Sequence, residues 1–338
     1  MSVVPAIYVG LPHGSMGAFG KAVQAEHSPA LISANSLWDK KHSRFRTFPP
    51  LPEHIATGLD SAGFVAMMQG GYRWTPEQYV EWAFRQGRRF PFLWWSAMDF
   101  ACEAAIAPDR KAVGQRMQAT VDTYRVMLED WLYWTVDEGA SSMEVPEPMP
   151  VLQGRRPDDY LWSAAKLAEV RIAAWNRKSS SGATYSEELD YQPLGLPDRV
   201  GLGSVCRREI EGEEGLVPVV AALDAALPKR VKLHLFGVKS GALRALTPFV
   251  GRIGSIDSMA WDYAARTEGQ KEWLATGVQP PKTSAVRVRH LLKWLAAQRE
   301  AAADMLAIRF AVATGDARLG RWIASNKHRI VAAARRTV

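Results

Sequence analysis

Cysteine is nearly absent: Cys102 and Cys206 are the only two in 338 residues. That scarcity excludes a disulfide framework, and no Cys-x-Cys or Cys-x-x-Cys pair exists to build a structural zinc site. Long hydrophobic runs are missing as well. No apolar stretch approaches the roughly 20 residues needed to cross a bilayer, and the start MSVVPAIYVGLPHG lacks the basic-then-apolar layout of a secretion signal. The sequence therefore predicts a soluble, cytoplasmic protein with no membrane partner. It has no internal repeats and no low-complexity tract. Acidic residues are in deficit: 42 Lys and Arg face 35 Asp and Glu, giving a net charge of +7 and a pI near 9.4. This balance favours polyanionic partners without identifying one.

What is present is a chain that is 47% hydrophobic and 23% charged, enough to bury one large core. Eight short apolar runs, each followed by a turn signal, read as strands: Ala6 to Gly10, Ala30 to Ala34, Ile55 to Leu59, Phe90 to Ala97, Met149 to Gln153, Arg199 to Ser204, Val231 to Val238 and Ile253 to Asp257. Helical patterns run over Pro76 to Gln86, Lys111 to Trp134, Pro157 to Arg177, Gly215 to Leu227 and Gly241 to Gly251. Alternation of this kind predicts an α/β fold, a (β/α)8 TIM-like barrel with a C-terminal helical extension; a doubly wound open sheet is the competing architecture. Lys178 to Gln192 reads as an exposed loop, Thr267 to Thr283 as a linker and Ser284 to Val312 as one long amphipathic helix. The expected division is thus a barrel over residues 1–266 and a linker plus helical segment over 267–338.

Barrel chemistry gathers where strands end. Those ends supply Asp60 in LDSAGF, Asp99 in WSAMDF, Gln153 in VLQG, Gly203 and Ser204 in GLGSV, and Asp257 in SIDSMAW. Two carboxylates from opposite halves of a chain can share one mouth as nucleophile and proton-transfer partner. Equally, an Asp after a strand can simply cap the next helix.

The order and context of these segments resemble the tRNA-guanine transglycosylase family. LDSAGF is similar to its Asp-Ser-Gly-Gly-aromatic segment, MDF to its Asp-Glu-Cys strand end, PVLQG to its Val-Gln-Gly strand, GLGSV to its Gly-Gly-Leu loop, HLFGV to its Leu-Met-Gly-Val segment and IDSMAW to its nucleophile segment. A closer resemblance is to the DNA-modifying branch, the DpdA-type transglycosylases. It is carried by IYVGLPHG with ALISANSLW, by GLGSVCRRE, and by HLFGVKSGALRAL running into GSIDSMAWDYAAR. The departures are Ser204 in place of the second glycine, Phe100 in place of the acidic neighbour of Asp99, no match to the arginine that follows the nucleophile in bacterial tRNA enzymes, and no cysteine after Asp262 for the tRNA enzymes' zinc, with only His290 and His328 there.

The resemblance implies a base-exchange enzyme, a pentosyltransferase that replaces guanine in DNA by a 7-deazaguanine such as 7-cyano-7-deazaguanine, in a bacterial or phage-infected cell. It implies Asp257 as nucleophile and Asp60 as acid/base. Asp99 and Gln153 would read the base edge, the backbone of Gly203, Ser204 and Val205 would contact it, and Phe64 and Phe236 would cover its faces. No cofactor and no metal are expected. A flipped nucleotide needs phosphate contacts, for which Arg155, Arg156, Arg207, Arg208, Lys239 and Arg266 are candidates, with further basic clusters at Lys40-Lys41-Arg44-Arg46 and Lys327 to Arg336. Blander roles stay open: core packing for Phe64 and Phe236, a loop amide bonding its own backbone for Gln153, solvated surface charge for the basic residues, barrel and helix-layer packing for Trp94 and Trp95, an inward-facing core position for His234. Exchange on tRNA and a silent nucleic-acid-binding barrel are the alternative functions, and a homodimer is among the assemblies this reading allows.

Overall fold

The computed structural model describes residues 4–12, 17–47, 55–90, 92–137, 145–170, 195–238, 240–278 and 284–314. The expected loop Lys178 to Gln192, the last residues of the helix expected to reach Arg177, Lys239, His328 and the basic cluster Lys327 to Arg336 lie outside these residues.

Among the described residues eight parallel strands form the centre: β1 (Ala6–Leu11), β2 (Ala30–Ser33), β5 (Thr57–Asp60), β6 (Trp94–Trp95), β7 (Val151–Leu152), β8 (Arg199–Leu202), β9 (Lys232–Leu235) and β10 (Ile253–Ser258). Between β2 and β5 a short antiparallel hairpin, β3 (Trp38–Asp39) and β4 (Arg44–Phe45), stands apart from the sheet. The sheet order is β6-β5-β2-β1-β10-β9-β8-β7, so first and last strands pair side by side. The two ends of that order meet: Ser96 bridges Met149, with Ala97 N–H donating to Met149 O at 2.9 Å and Met149 N–H to Trp95 O at 2.8 Å. Every barrel strand is thereby flanked by its predecessor and successor among the eight, the topology of a (β/α)8 barrel rather than a doubly wound sheet.

Helices follow the strands: α1 (Ala18–Ala25), α2 (Gly63–Met68), α3 (Pro76–Gly87), α4 (Arg110–Asp137), α5 (Pro157–Ala168), α6 (Leu216–Ala226), α7 (Ser240–Ala245), α8 (Ala260–Thr276) and α9 (Ser284–Thr314). The local chemistry explains the starts; α3 opens on a capping box between Thr75 and Gln78 with proline at its first turn. Strand side chains alternate. Trp94 points into the barrel with Tyr8, Leu31, Met149 and Phe236, while Trp95 turns outward, its ring 5.6 Å from Tyr79. Both tryptophans are thus packing residues. Gly58 makes room for Trp94, whose indole fills the space a Cβ would take.

One expectation is corrected in part: residues 267–276, read as the start of a linker, are helical, because α8 runs through Thr276 and ends on Gly277 in the left-handed region, so position 266 lies inside this helix. The expected C-terminal helical extension is α9, and it is held to the barrel: Leu291, Leu295, Gln298, Ala302 and Met305 recur at helical spacing and are buried, and α9 packs against α1, α7 and α8 in the outer ring. Shorter discrepancies are that β6 spans only Trp94–Trp95, and that the helix expected to reach Gly251 gives way after Ala245 to a 3-10 turn at Thr247–Phe249.

Candidate active site

The carboxyl ends of the strands open into one cavity of about 1790 Å³, lined among others by Asp60, Phe64, Asp99, Ser204, Phe236 and Asp257. Gly203 and Arg207 also reach it, whereas Gln153 and Val205 lie buried behind its wall.

Asp257 sits near the end of β10, nearly buried, with the backbone N–H of Gly237 donating to Oδ1 at 3.0 Å. The fully buried His234 on β9 brings Nε2 within 3.4 Å of the same oxygen. Asp60 ends β5 and is half-buried, beside the Ser33 hydroxyl and the Ala62 N–H. Burial is the largest influence on its acidity, the charges of Asp99 and Asp257 add to it, and its pKa rises from 3.8 to about 7. At neutral pH this group is therefore poised to give or take a proton.

Asp99 lies beyond β6. Its Oδ1 accepts from Ser61 Oγ at 2.8 Å and its Oδ2 from the Gln153 amide. Burial raises its pKa to about 6 against the lowering effect of those two hydrogen bonds. Tyr72 clamps the backbone there: its hydroxyl accepts from Asp99 N–H at 3.0 Å and donates to Asp99 O at 2.9 Å. Gln153 in turn accepts from Ser204 Oγ at 2.5 Å, and Ser204 Oγ accepts from Cys102 N–H at 2.6 Å. The side chain of Gln153 thus bonds Asp99 and Ser204 rather than its own backbone.

Two glycines make this network possible. A Cβ on Gly63 would strike the carboxyl and carbonyl of Asp99, and one on Gly203 would strike the Gln153 amide. At two neighbouring positions the chain bends without glycine: Ala62 has φ 70° and Ser204 φ 56°. Both stand where the transglycosylase segments carry glycine, which explains that residue's use there in conformational terms.

Phe64 is half-buried on the cavity wall with the Arg207 guanidinium 4.8 Å from its ring centre, so one face is already covered. Phe236 is edge-on to His234 at 4.6 Å and Trp94 at 6.2 Å. Among the basic candidates, Arg155 and Arg156 are paired with Glu214 and Glu213, and Arg266 with Asp262. Arg208 requires a correction as a phosphate ligand. Its five N–H groups meet five acceptors: the carbonyls of Ser204, Arg155, Glu214 and Gly154, and the Tyr160 hydroxyl. No donor remains for a phosphate, and Arg208 braces the loops after β7 and β8.

Sequence reasoning missed Ser33, Ser61, Tyr72 and Glu103, the last of which lines the cavity and accepts from Cys206 Sγ at 3.6 Å. Ser61 was visible inside LDSAGF, but Tyr72 and Glu103 carry no local signal. It also missed the extension of the cavity beneath α8 and α9, where Met259, Tyr263, Trp273, Arg287 and His290 line it.

The family model DpdA, DeoxyPurine in DNA protein A, matches residues 27–176 and 184–333. The chain belongs to the DpdA family. No curated protein matches the chain. Membership in DpdA places the protein in deazapurine modification of DNA, and the family match spans both catalytic candidates, Asp60 and Asp257. Among the described residues of this DpdA-family chain, no helix is long and apolar enough to cross a membrane.

Proposed function

We propose that this DpdA-family protein is a DNA-guanine transglycosylase that exchanges guanine for a 7-deazaguanine by double displacement. The observation that carries the reading is that Asp60 and Asp257 line one cavity, close enough for the charge of Asp257 to raise the pKa of Asp60.

In this mechanism the Asp257 carboxylate gives an electron pair to C1′ as the bond from C1′ to N9 breaks, and that bond's electrons leave with guanine. Asp60 hands its proton to the departing base. N9 of the incoming 7-deazaguanine then attacks C1′ of the ester, its proton passes to Asp60, and Asp257 regains its charge. Asp99, supported by Ser61 and Gln153, accepts from the N1–H and amine of either base. Phe236 and the open face of Phe64 cover the ring. Reaching C1′ requires the nucleotide to leave the duplex, which phosphate contacts must offset.

The test is incorporation of labelled guanine into DNA and into tRNA by the purified protein, with Asp257→Asn beside it. Label entering DNA, together with a covalent protein–DNA adduct on a denaturing gel that Asp257→Asn abolishes, is the expected result. Label confined to tRNA, or full activity in the variant, overturns the proposal.

A further inference from the structure

Two features that the mechanism above does not name carry separate inferences, the second resting on Asp257 as the nucleophile. The first is the β3–β4 hairpin, which leaves the cavity wall just beyond Asn35 and Ser36. Lys40, Lys41, Arg44 and Arg46 are all exposed on it. The hairpin's one acid, Asp39, is occupied in capping the turn, accepting from Lys41 N–H at 3.0 Å and from His42 Nδ1 at 2.8 Å. The base of the hairpin is fixed: Phe45 lies 4.7 Å from the Trp82 ring and 4.9 Å from Trp38, and Trp82 Nε1 donates to Arg46 O at 2.9 Å. The geometry points to a rigid basic finger that grips the sugar–phosphate backbone of DNA beside the flipped nucleotide. This rests on DNA being the substrate.

Its test is the salt dependence of binding to a synthetic duplex by wild-type protein and by the triple variant Lys40→Ala, Lys41→Ala, Arg44→Ala. Each lost phosphate contact lowers the slope of log K against log salt by about 0.9. The expected result is a slope smaller by about 2 to 3. An unchanged slope, or loss of tRNA binding with duplex binding intact, overturns the finger while leaving base exchange standing. Wild-type protein that neither binds nor modifies DNA retires both readings.

The second feature is His234. Its Nδ1 lies 2.8 Å from Ser255 Oγ, and Nε2 is buried with no well-formed hydrogen bond, its closest acceptor being Oδ1 of Asp257. A proton on Nδ1 would aim the Nε2 lone pair at a carboxylate oxygen. A proton on Nε2, with the Ser255 hydroxyl donating to Nδ1, turns the same contact into an attraction. We infer that His234, held as the Nε2–H tautomer by the acceptor-only carboxylate of Asp257 with the Ser255 hydroxyl donating to Nδ1, is a positioning residue that joins Gly237 in holding Oδ1 of Asp257 and so leaves Oδ2 as the attacking atom. Burial holds the imidazole pKa below its ordinary value despite the opposing pull of Asp257, which keeps the nucleophile from being neutralised by a cation.

Nitrogen-15 histidine spectra of the wild-type protein test the tautomer without any assay of activity. A neutral Nε2–H ring that shifts in Asp257→Ala is expected; an Nδ1–H ring or an imidazolium at pH 7 overturns the assignment even if base exchange is confirmed. In kinetics, His234→Leu lowers the rate of adduct formation about 100-fold with KM for DNA unchanged, and His234→Gln restores most of the loss. Should the leucine variant not fold, Ser255→Ala serves instead, with an expected drop of about tenfold. Wild-type adduct rates in Ser255→Ala overturn the relay.

Discussion

Gly63 and Asp99 are packed so tightly that no side chain fits between them: a Cβ at Gly63 would overlap both the carboxyl group and the backbone carbonyl of Asp99. The carboxylate proposed to read the base edge is therefore positioned by a missing methyl group. Gly63→Ala is expected to displace it and raise KM for the 7-deazaguanine tenfold or more, the cost of about one misplaced charge-assisted hydrogen bond, while circular dichroism is unchanged. Steady-state kinetics with varied base checks this, and an unaltered KM would contradict it.

The pKa of Asp60, raised to about 7, gives the reaction a pH signature. Adduct formation needs the protonated form, so its single-turnover rate falls about tenfold per unit above pH 7 and levels off below it. Asp60→Asn lowers the plateau by a factor of about 10² to 10⁴ and removes the pH dependence. The same burial has a stability consequence of definite sign. A carboxyl whose folded pKa lies above its unfolded value weakens the fold progressively from pH 3.8 to about 7. Asp60→Asn should therefore raise the melting temperature more at pH 8 than at pH 5, which calorimetry at both values decides.

Ala62 and Ser204 share a left-handed backbone but not a role. Ala62→Gly relieves strain of about 1 kcal/mol and should leave urea stability equal or higher, against the usual direction of an Ala→Gly change. Ser204→Gly relieves the same strain but also removes the hydroxyl between Gln153 and Cys102. It is expected to lower base affinity, measured as KM, without a gain in stability.

Arg207 and Arg208 are adjacent and should behave as opposites. Arg208→Met strands buried carbonyls and is expected to cost about 3 kcal/mol in urea unfolding. Arg207→Ala leaves stability within about 0.5 kcal/mol of wild type and weakens duplex binding. Similar stabilities for the two variants would contradict this division.

The eight strands and most of the polar residues at their ends were legible because each run of β-branched or aromatic residues stops at a polar or glycine signal. The partners of those residues were not. Tyr72 holds Asp99 from a loop whose sequence, GGYRW, reads as a plain turn. The hairpin was invisible because its strands are two residues long, too short for any alternation. The α8 helix was read as linker because its middle, EGQKE, carries a glycine and no apolar stripe, and because the QPP and PKT signals that belong after Gly277 were extended backwards over it. His234 was correctly placed in the barrel interior; what one sequence could not reveal is that the next strand sets a nucleophile candidate against it.

The closing of the outer ring by α9 has a kinetic meaning. Arg299 on this helix bonds Glu26 and Ser28 just after α1, and β1 pairs with β10. The earliest strand has β2 on one edge, but its other edge waits until β10 emerges, and contacts of such long sequence separation form slowly. A nascent chain would hold a half-built mouth, with Asp60 waiting for the opposing carboxylate of Asp257, until β10 docks beside β1 and α9 seals the ring behind it.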